Sequence, residues 1–457
     1  MLIDFQVENF GSINQAVSLN MIAEREQRFR ERLAHVASYR KYINPIAAVF
    51  GANASGKSTL IKALNALKQF VLTPPSVGKE IPYNPFRFTD VPTRPTQFEL
   101  VFLSEDTFYE YVISFTESKV LEEKLSRYSA RSEIVIFDRA EQLLHYGDST
   151  NEVFSSLLLG TVPDNTPVVS HFESLNHEFL RELLQKTGDG NPNRFLSVLE
   201  EIRAPYQWLE KLFIVDQNFL SLDTPLTTNI DAWEDAIVQI DAGIAKVAKE
   251  PIDIETLTEV VNENIALEEL ISKFKTIQLV TPEARYELAS SEDASAKIEA
   301  RRVSLVHGCS NGVVKDLPWS LESDGTKNAV EILNLIALAT QNDMVIAIDE
   351  FDRSFHTELS RAIIDGYLDT VSKTSRSQLI FTTHDLLLMD PHRLRRDEMW
   401  ITEKDKNGET SLTVLSEFDG IRKDSDIRRS YLQGRFGGVP DIMPVKFPKG
   451  ELGSSSL

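Results

Sequence analysis

Residues 51–58 read Gly-Ala-Asn-Ala-Ser-Gly-Lys-Ser, a complete G-x-x-x-x-G-K-[ST] octet, and few strings of this length constrain a chain so tightly. The octet stands between an apolar run, Pro45-Ile46-Ala47-Ala48-Val49-Phe50, and a helical pattern, Thr59-Leu60-Ile61-Lys62-Ala63-Leu64-Asn65-Ala66-Leu67. That is the strand–loop–helix setting in which such an octet wraps a phosphate. Gly51 and Gly56 let the backbone turn so sharply that successive N–H groups converge, and the helix beginning near Lys57 points its positive end at the same anion. The expected phosphate-binding residues are Gly51, Ala52, Asn53, Ala54, Ser55, Gly56, Lys57, Ser58 and Thr59. Within that set Lys57 should reach the β- and γ-phosphates and Ser58 should ligate Mg²⁺.

At 457 residues the chain exceeds the size at which one hydrophobic core stops growing, so two or three lobes are expected. A formal charge of -21 excludes a protein that coats nucleic acid through bulk positive charge. The single cysteine, Cys309, excludes an internal disulfide framework and a multi-cysteine zinc site, and suits a reducing compartment. The N-terminus carries Asp4 and Glu8 in its apolar stretch and lacks a basic flank, unlike a signal peptide. No window has the roughly 18 uninterrupted apolar residues of a membrane span, so a cytoplasmic protein with no membrane partner is expected.

Patterning divides the chain at about residues 149, 278 and 445. Residues 1–149 alternate like strands around the phosphate-loop helix, with Phe98–Phe102, Tyr109–Phe115 and Glu133–Phe137 as antiparallel, half-buried strands. Between them the charge run Glu24–Arg32 reads as a solvated connection. Residues 150–278 turn helical, with Trp233, Ile237, Ile240, Ile244 and Val247 forming one apolar stripe. Prolines and glycines, Pro205 and Pro251 among them, should keep helices there short, giving a compact insertion. Residues 279–445 resume the strand-and-helix pattern, and 446–457 form a polar tail. The fold class is α/β.

The later segment supplies what a phosphate loop needs. Met344-Val345-Ile346-Ala347-Ile348-Asp349-Glu350 is an apolar strand ending in two carboxylates. Asp349 is expected to hold Mg²⁺ with Ser58, and Glu350 to polarise the attacking water. Ser323-Asp324-Gly325 opens a helical pattern, where a hydroxyl, a bare backbone N–H and a helix dipole suit an anion; an ordinary N-cap is the alternative. Gln378–Thr383 is a further apolar strand, followed by His384, which is placed either to bond a γ-phosphate or to serve as a structural polar group.

Taken in this order, phosphate loop, Ser-x-Gly helix, Asp-Glu strand and histidine strand, the chain resembles the ABC-type ATPase heads of the SMC/RecF class. Residues 1–13 look like that class's opening strand, Glu322–Lys327 like a divergent signature motif, and Asp352 lies where its D-loop follows the catalytic glutamate. Three stretches, Glu322–Lys327, Asp349–His356 and Tyr431–Gly437, are most similar to ATPases of the overcoming-lysogenization-defect-like group in prokaryotic antiphage defence, which includes the AbiL/RloA, PARIS and Septu ATPases. The resemblance covers roughly two-thirds of the chain. It implies ATP and Mg²⁺ as cofactors, a head with an antiparallel β subdomain, and catalysis by Glu350, His384 and Lys57. Where transporters have Leu-Ser-Gly-Gly-Gln, only Ser323 and Gly325 keep register. Gln217, after Phe213–Val215, is either the Mg²⁺-sensing glutamine of the class or a plain loop residue.

The resemblance further implies a head-to-tail homodimer or higher homo-oligomer in which one subunit's signature helix completes the other's site. The expected role is an ATP-hydrolysing switch in phage defence that controls a separate effector nuclease, Toprim-like or His-Asn-His, in response to a phage protein or DNA. This chain carries no nuclease constellation of its own; Asp419, Asp424 and Asp426 are spaced like a solvated loop. The runner-up is a RecF-like DNA-repair ATPase, with Arg393, Arg395, Arg396, Arg422, Lys423, Arg428, Arg429 and Arg435 as a phosphate-binding rim.

Overall fold

The computed structural model describes the chain except residues 25, 90–93, 130–131, 141–142, 145–158, 176–191, 216–230, 241–242, 254–256, 258–275, 282, 291–297, 309–313, 354, 419–425 and 440–457. Its centre is a six-stranded sheet ordered Leu212–Val215, Val345–Ile348, Gln378–Thr383, Ile46–Gly51, Met399–Lys404 and Thr410–Val414. The first five run parallel, and Thr410–Val414 closes the edge antiparallel. These strands are continuous apolar runs because both faces are covered. Ala47 and Val49 face the phosphate-loop helix Lys57–Leu72 and the rings of Phe5, Phe98 and Phe115. Ile46, Ala48 and Phe50 face Ile336, Ile363 and Tyr367 of helices Asp324–Asn342 and Thr357–Thr370.

Beyond the phosphate-loop helix lies a seven-stranded antiparallel sheet containing the opening strand Leu2–Glu8, Thr96–Ser104, Thr107–Phe115 and Glu133–Asp138. The expected antiparallel strands are therefore present, joined by Val120–Tyr128, whose consecutive charges Glu122, Glu123 and Lys124 break the alternation of a half-buried strand. The α/β class and the β subdomain beside the phosphate-loop sheet are as the sequence leads one to expect.

The segment expected to be helical is mixed. Helix Asp231–Ile240 carries Trp233, Ile237 and Ile240, but Ile244 and Val247 lie on strand Ile244–Ile252, which pairs antiparallel with Ile298–Gly308. Gly243 separates the two, and the sheet supplies the backbone partners that a longer helix would have supplied itself. Leu212–Val215 joins the parallel sheet, and Pro205 sits inside the long helix Pro192–Glu210. Proline costs that helix only one turn's bonding, while Leu199, Ile202 and Leu209 are fully buried. The strands Ile244–Ile252, Ile298–Gly308, Arg285–Ser290, Thr276–Val280 and Val314–Leu317 make a third sheet, whose Val303 and Leu305 pack on Ala329 and Val330 of helix Asp324–Asn342.

The charge run at 24–32 is only in part a solvated connection: Glu24, Gln27, Arg30 and Glu31 are exposed, but other members of it are tied down. Arg32 is buried and paired with buried Glu398, and Arg395, with no exposed surface, bonds Asp397 at 2.7 Å and the carbonyls of Glu26 and Arg28 at 3.0 and 2.6 Å. Arg393 pairs with Asp365 and Asp390, and Arg396 lies 3.9 Å from Glu26. Three of the eight residues of the basic rim, Arg393, Arg395 and Arg396, are thus neutralised internally and offer little positive charge to a phosphate backbone. Arg428 is half-buried, Arg429 and Arg435 are exposed, and Asp426 caps helix Ile427–Leu432 by accepting from the Arg429 amide at 3.0 Å. Arg422, Lys423, Asp419, Asp424, Cys309 and the tail 446–457 lie outside the described residues. Among the described residues no helix is long and apolar enough to cross a membrane.

A buried pair anchors helix Asp324–Asn342: Arg285, with no exposed surface, bonds Glu331 and lies over the Trp319 ring. Arg285→Ala should leave the Glu331 carboxylate buried without its cation and destabilise the fold by about 3–5 kcal/mol. The double change Arg285→Met/Glu331→Leu should recover most of that loss. Guanidinium-induced unfolding checks both, and a single variant as stable as the parent would contradict the assignment.

Candidate nucleotide site

The phosphate loop forms where the octet places it. Gly56 begins helix Lys57–Leu72 at φ 107°, and a Cβ there would lie 2.2 Å from Thr410 Oγ1, so neither conformation nor space admits a side chain. At Gly51 a Cβ would lie 2.3 Å from Thr402 Oγ1. The same two threonines hold the loop: Thr410 Oγ1 donates to Ser55 O at 3.1 Å, and Thr402 Oγ1 shares a hydrogen bond with Ser55 Oγ at 2.6 Å. Ala52 N donates to Gly438 O at 3.1 Å, a carbonyl also bonded by the Tyr431 hydroxyl at 2.7 Å. The Tyr431–Gly437 stretch is therefore the support that brings Gly438 under the loop.

Lys57 Nζ donates to the carbonyls of Gly51 and Ala52 at 2.8 and 2.9 Å and lies 3.2 Å from His384 Nδ1. An ammonium only donates, so Nδ1 accepts and the ring proton sits on Nε2. Burial pushes the His384 pKa down, helped by the Lys57 charge, which keeps the ring neutral. Burial also lowers Lys57 to about 8 against the opposing pull of Asp349, Asp352 and Glu350.

The two carboxylates at the end of Val345–Ile348 part company. Asp349 is buried; its Oδ1 accepts from Ser58 Oγ at 3.1 Å and from Thr382 Oγ1 at 2.7 Å. Glu350 has φ 56°, a left-handed conformation that costs a non-glycine residue about 1 kcal/mol, and its amide donates to Thr382 Oγ1 at 2.8 Å. The reversal turns Glu350 into a cleft of about 590 Å³, which it lines with Asp352, Arg353, His384, Lys404 and residues 53–59 of the loop. Ser58 and Asp349 offer a hydroxyl and a carboxylate to one point, which suits a Mg²⁺ that keeps waters and phosphate oxygens as its other ligands. Among the described residues no three His, Cys, Asp or Glu side chains gather into a closed metal cage.

Lys57, Ser58, Asp349, Glu350 and His384 are thus brought together as expected. Ser323 and Gly325 are not part of this cleft. Ser323 is the exposed N-cap of helix Asp324–Asn342, its Oγ accepting from Thr326 N at 3.0 Å. Gln217 lies outside the described residues. Thr382, Thr402, Thr410, Gly438, Arg353 and Lys404 were not singled out from the sequence. A threonine at a strand end has no distinguishing pattern, although Arg353 stood within the Asp349–His356 stretch.

A parallel sheet whose strand ends carry a phosphate loop, an aspartate bonded to the loop's serine, a turned-out glutamate and a histidine defines a P-loop nucleotide-binding protein. The chain belongs to the family described as "AAA domain, putative AbiEii toxin, Type IV TA system", whose model matches residues 46–152 and 164–390. No curated protein sequence matches it. Among solved structures it is similar to an SMC head bound to the C-terminal winged-helix domain of ScpA, at 11% identity and TM-score 0.40, covering 90% of this chain and 97% of that one. It is also similar to an SMC head domain with an extended coiled coil bound to the C-terminal domain of ScpA from Pyrococcus furiosus, at 13% identity and TM-score 0.34, covering 91% and 97%. The family match and the strand-end geometry carry the assignment.

A bound polyphosphate favours the charged form of Lys57, so binding should raise its pKa from about 8. Nucleotide affinity should therefore be greatest below that value and fall as pH rises through it, with proton uptake on binding on the alkaline side. Calorimetry in buffers of different ionisation enthalpy measures both. Constant affinity and no proton uptake from about pH 7 to 9.5 would contradict this account.

Proposed function

We propose that this protein is a Mg²⁺-dependent ATPase acting as a molecular switch. The observation that carries the reading is the division of labour at Asp349-Glu350: one carboxylate held beneath Ser58, the other turned into the cleft beside Lys57 and His384. In this reading the loop amides and Lys57 hold the β- and γ-phosphates, the ammonium exchanging its two backbone carbonyls for phosphate oxygens. Glu350 accepts the proton of the water that attacks the γ-phosphorus, and the Nε2–H of His384 bonds a γ-phosphate oxygen. Ser58 and Asp349 would hold a Mg²⁺, which would supply charge neutralisation at the phosphates.

The biological setting we propose is antiphage defence, with this chain sensing a phage protein or DNA and controlling a separate effector nuclease, Toprim-like or His-Asn-His. The family description, which names a toxin of a toxin–antitoxin system, supports a role of that kind. An exposed Ser323 at a helix N-terminus outside its own cleft supports a head-to-tail homo-oligomer in which this end meets a partner subunit's nucleotide. The RecF-like repair reading has less support, since Arg393, Arg395 and Arg396 are engaged in ion pairs.

Glu350→Gln should bind ATP as the parent does and hydrolyse it roughly 10²–10⁴-fold more slowly, because an amide cannot take the proton. Steady-state phosphate release together with fluorescent-nucleotide binding checks this, and parental turnover would remove Glu350 as the base. The purified chain should also leave plasmid, linear DNA and tRNA uncut in Mg²⁺ or Mn²⁺. Cleavage that follows the protein through size-exclusion fractions would place the nuclease in this chain and overturn the separate-effector reading.

A further inference from the structure

The turn that carries Glu350 brings a cation into the cleft that no recognised motif employs. Residues 349–353 are fixed at several points. Phe351 is buried against Phe381 with ring centroids 4.9 Å apart, and its amide donates to Thr382 O at 2.9 Å. Asp352 accepts from the His384 amide at 3.3 Å, and Arg353 N donates back to Glu350 O at 2.9 Å. Arg353 is therefore held one short turn from Glu350, and both side chains line the same cleft. Its guanidinium is exposed and has no hydrogen bond or ion pair among the described residues. Arg361, on the following helix, is by contrast paired with Glu358. Lys404, the other exposed cation of the cleft, stands on strand Met399–Lys404, beyond the far edge of the phosphate loop from Glu350.

We propose that Arg353 is a catalytic residue, its guanidinium contacting γ-phosphoryl oxygens as the terminal phosphate leaves. The proposal rests on the ATPase reading above and deepens it. Water forms a bond to the γ-phosphorus while the bond to the β–γ bridging oxygen breaks, giving ADP and phosphate, and Glu350 takes the water's proton. Negative charge shifts onto the bridging and equatorial oxygens, and a planar, permanently charged fork carried on the same turn as the base is suited to meet it there. Because Arg353 is fixed by the same turn as Glu350, its contact is made where the chemistry occurs rather than along the rest of the nucleotide.

The test compares the full-length parent with Arg353→Ala, Arg353→Lys and Lys57→Ala, each confirmed as folded by its thermal transition. Arg353→Ala should lose about 10³-fold in kcat while its affinity for ATPγS changes by less than about threefold. It should also fail to trap ADP with aluminium fluoride, and added guanidinium ion should restore part of its turnover but none in Lys57→Ala. An inactive parent would overturn the ATPase reading and this inference with it. An active parent whose Arg353→Ala variant keeps parental kcat, or loses ATPγS binding in proportion to kcat, would overturn this inference alone.

Discussion

The hydroxyl of Thr382 donates to Asp349 Oδ1 and accepts from the Glu350 amide, and the site depends on that one bridge. It requires strands Val345–Ile348 and Gln378–Thr383 to run parallel with Ile348 opposite Phe381, so that the next residue of each reaches the same level. The next pairing, Thr382 with Val49 and Thr383 with Phe50, sets the phosphate loop at that level too. Three segments, the first of them 291 residues before the second, thereby end on one plane, with Ser58, Asp349 and His384 converging from three sides. The left-handed Glu350 is tolerated because the bridge, the Phe351 packing and the Arg353–Glu350 turn all fix the reversal together.

Support for the loop comes from the other flank. Thr402 and Thr410 fill the space that glycine leaves at positions 51 and 56, so these glycines and threonines form one packing unit rather than independent features. Gly438 extends that unit toward the C-terminus by accepting from Ala52 N. Farther back, the buried ionic cluster of Arg32, Arg395, Asp397 and Glu398 ties residues 24–32 to the connection between strands Gln378–Thr383 and Met399–Lys404. Both strands flank Ile46–Gly51, so the cluster braces the sheet that bears the loop.

Helix Asp324–Asn342 links this sheet to the third one. Ile332, Leu335 and Ile336 pack toward the parallel strands, while Ala329 and Val330 pack on Val303 and Leu305. It is held two turns in by the Arg285–Glu331 pair, and just before its N-cap by the bond between His307 Nε2 and Glu322 Oε1 at 2.8 Å.

The sequence by itself determined the features written in consecutive residues. These are the phosphate-loop octet, the apolar strands ending in Asp349-Glu350 and before His384, and the alternation of the antiparallel strands, because each rests on short-range periodicity or backbone geometry. Local pattern misled where a distant partner decided the outcome. Ile244 and Val247 share a helical spacing with Ile237 yet enter a sheet because Ile298–Gly308 is available to pair with them. Arg32 and Arg395 look solvated in sequence, and are buried because carboxylates and carbonyls from the other end of the chain meet them. The tertiary structure alone decided which threonines hold the loop and that Arg353 shares a cleft with Lys57. Those relations depend on sheet order and register between segments more than 290 residues apart, as the Ser55–Thr402 bond illustrates, and no local pattern encodes such a separation.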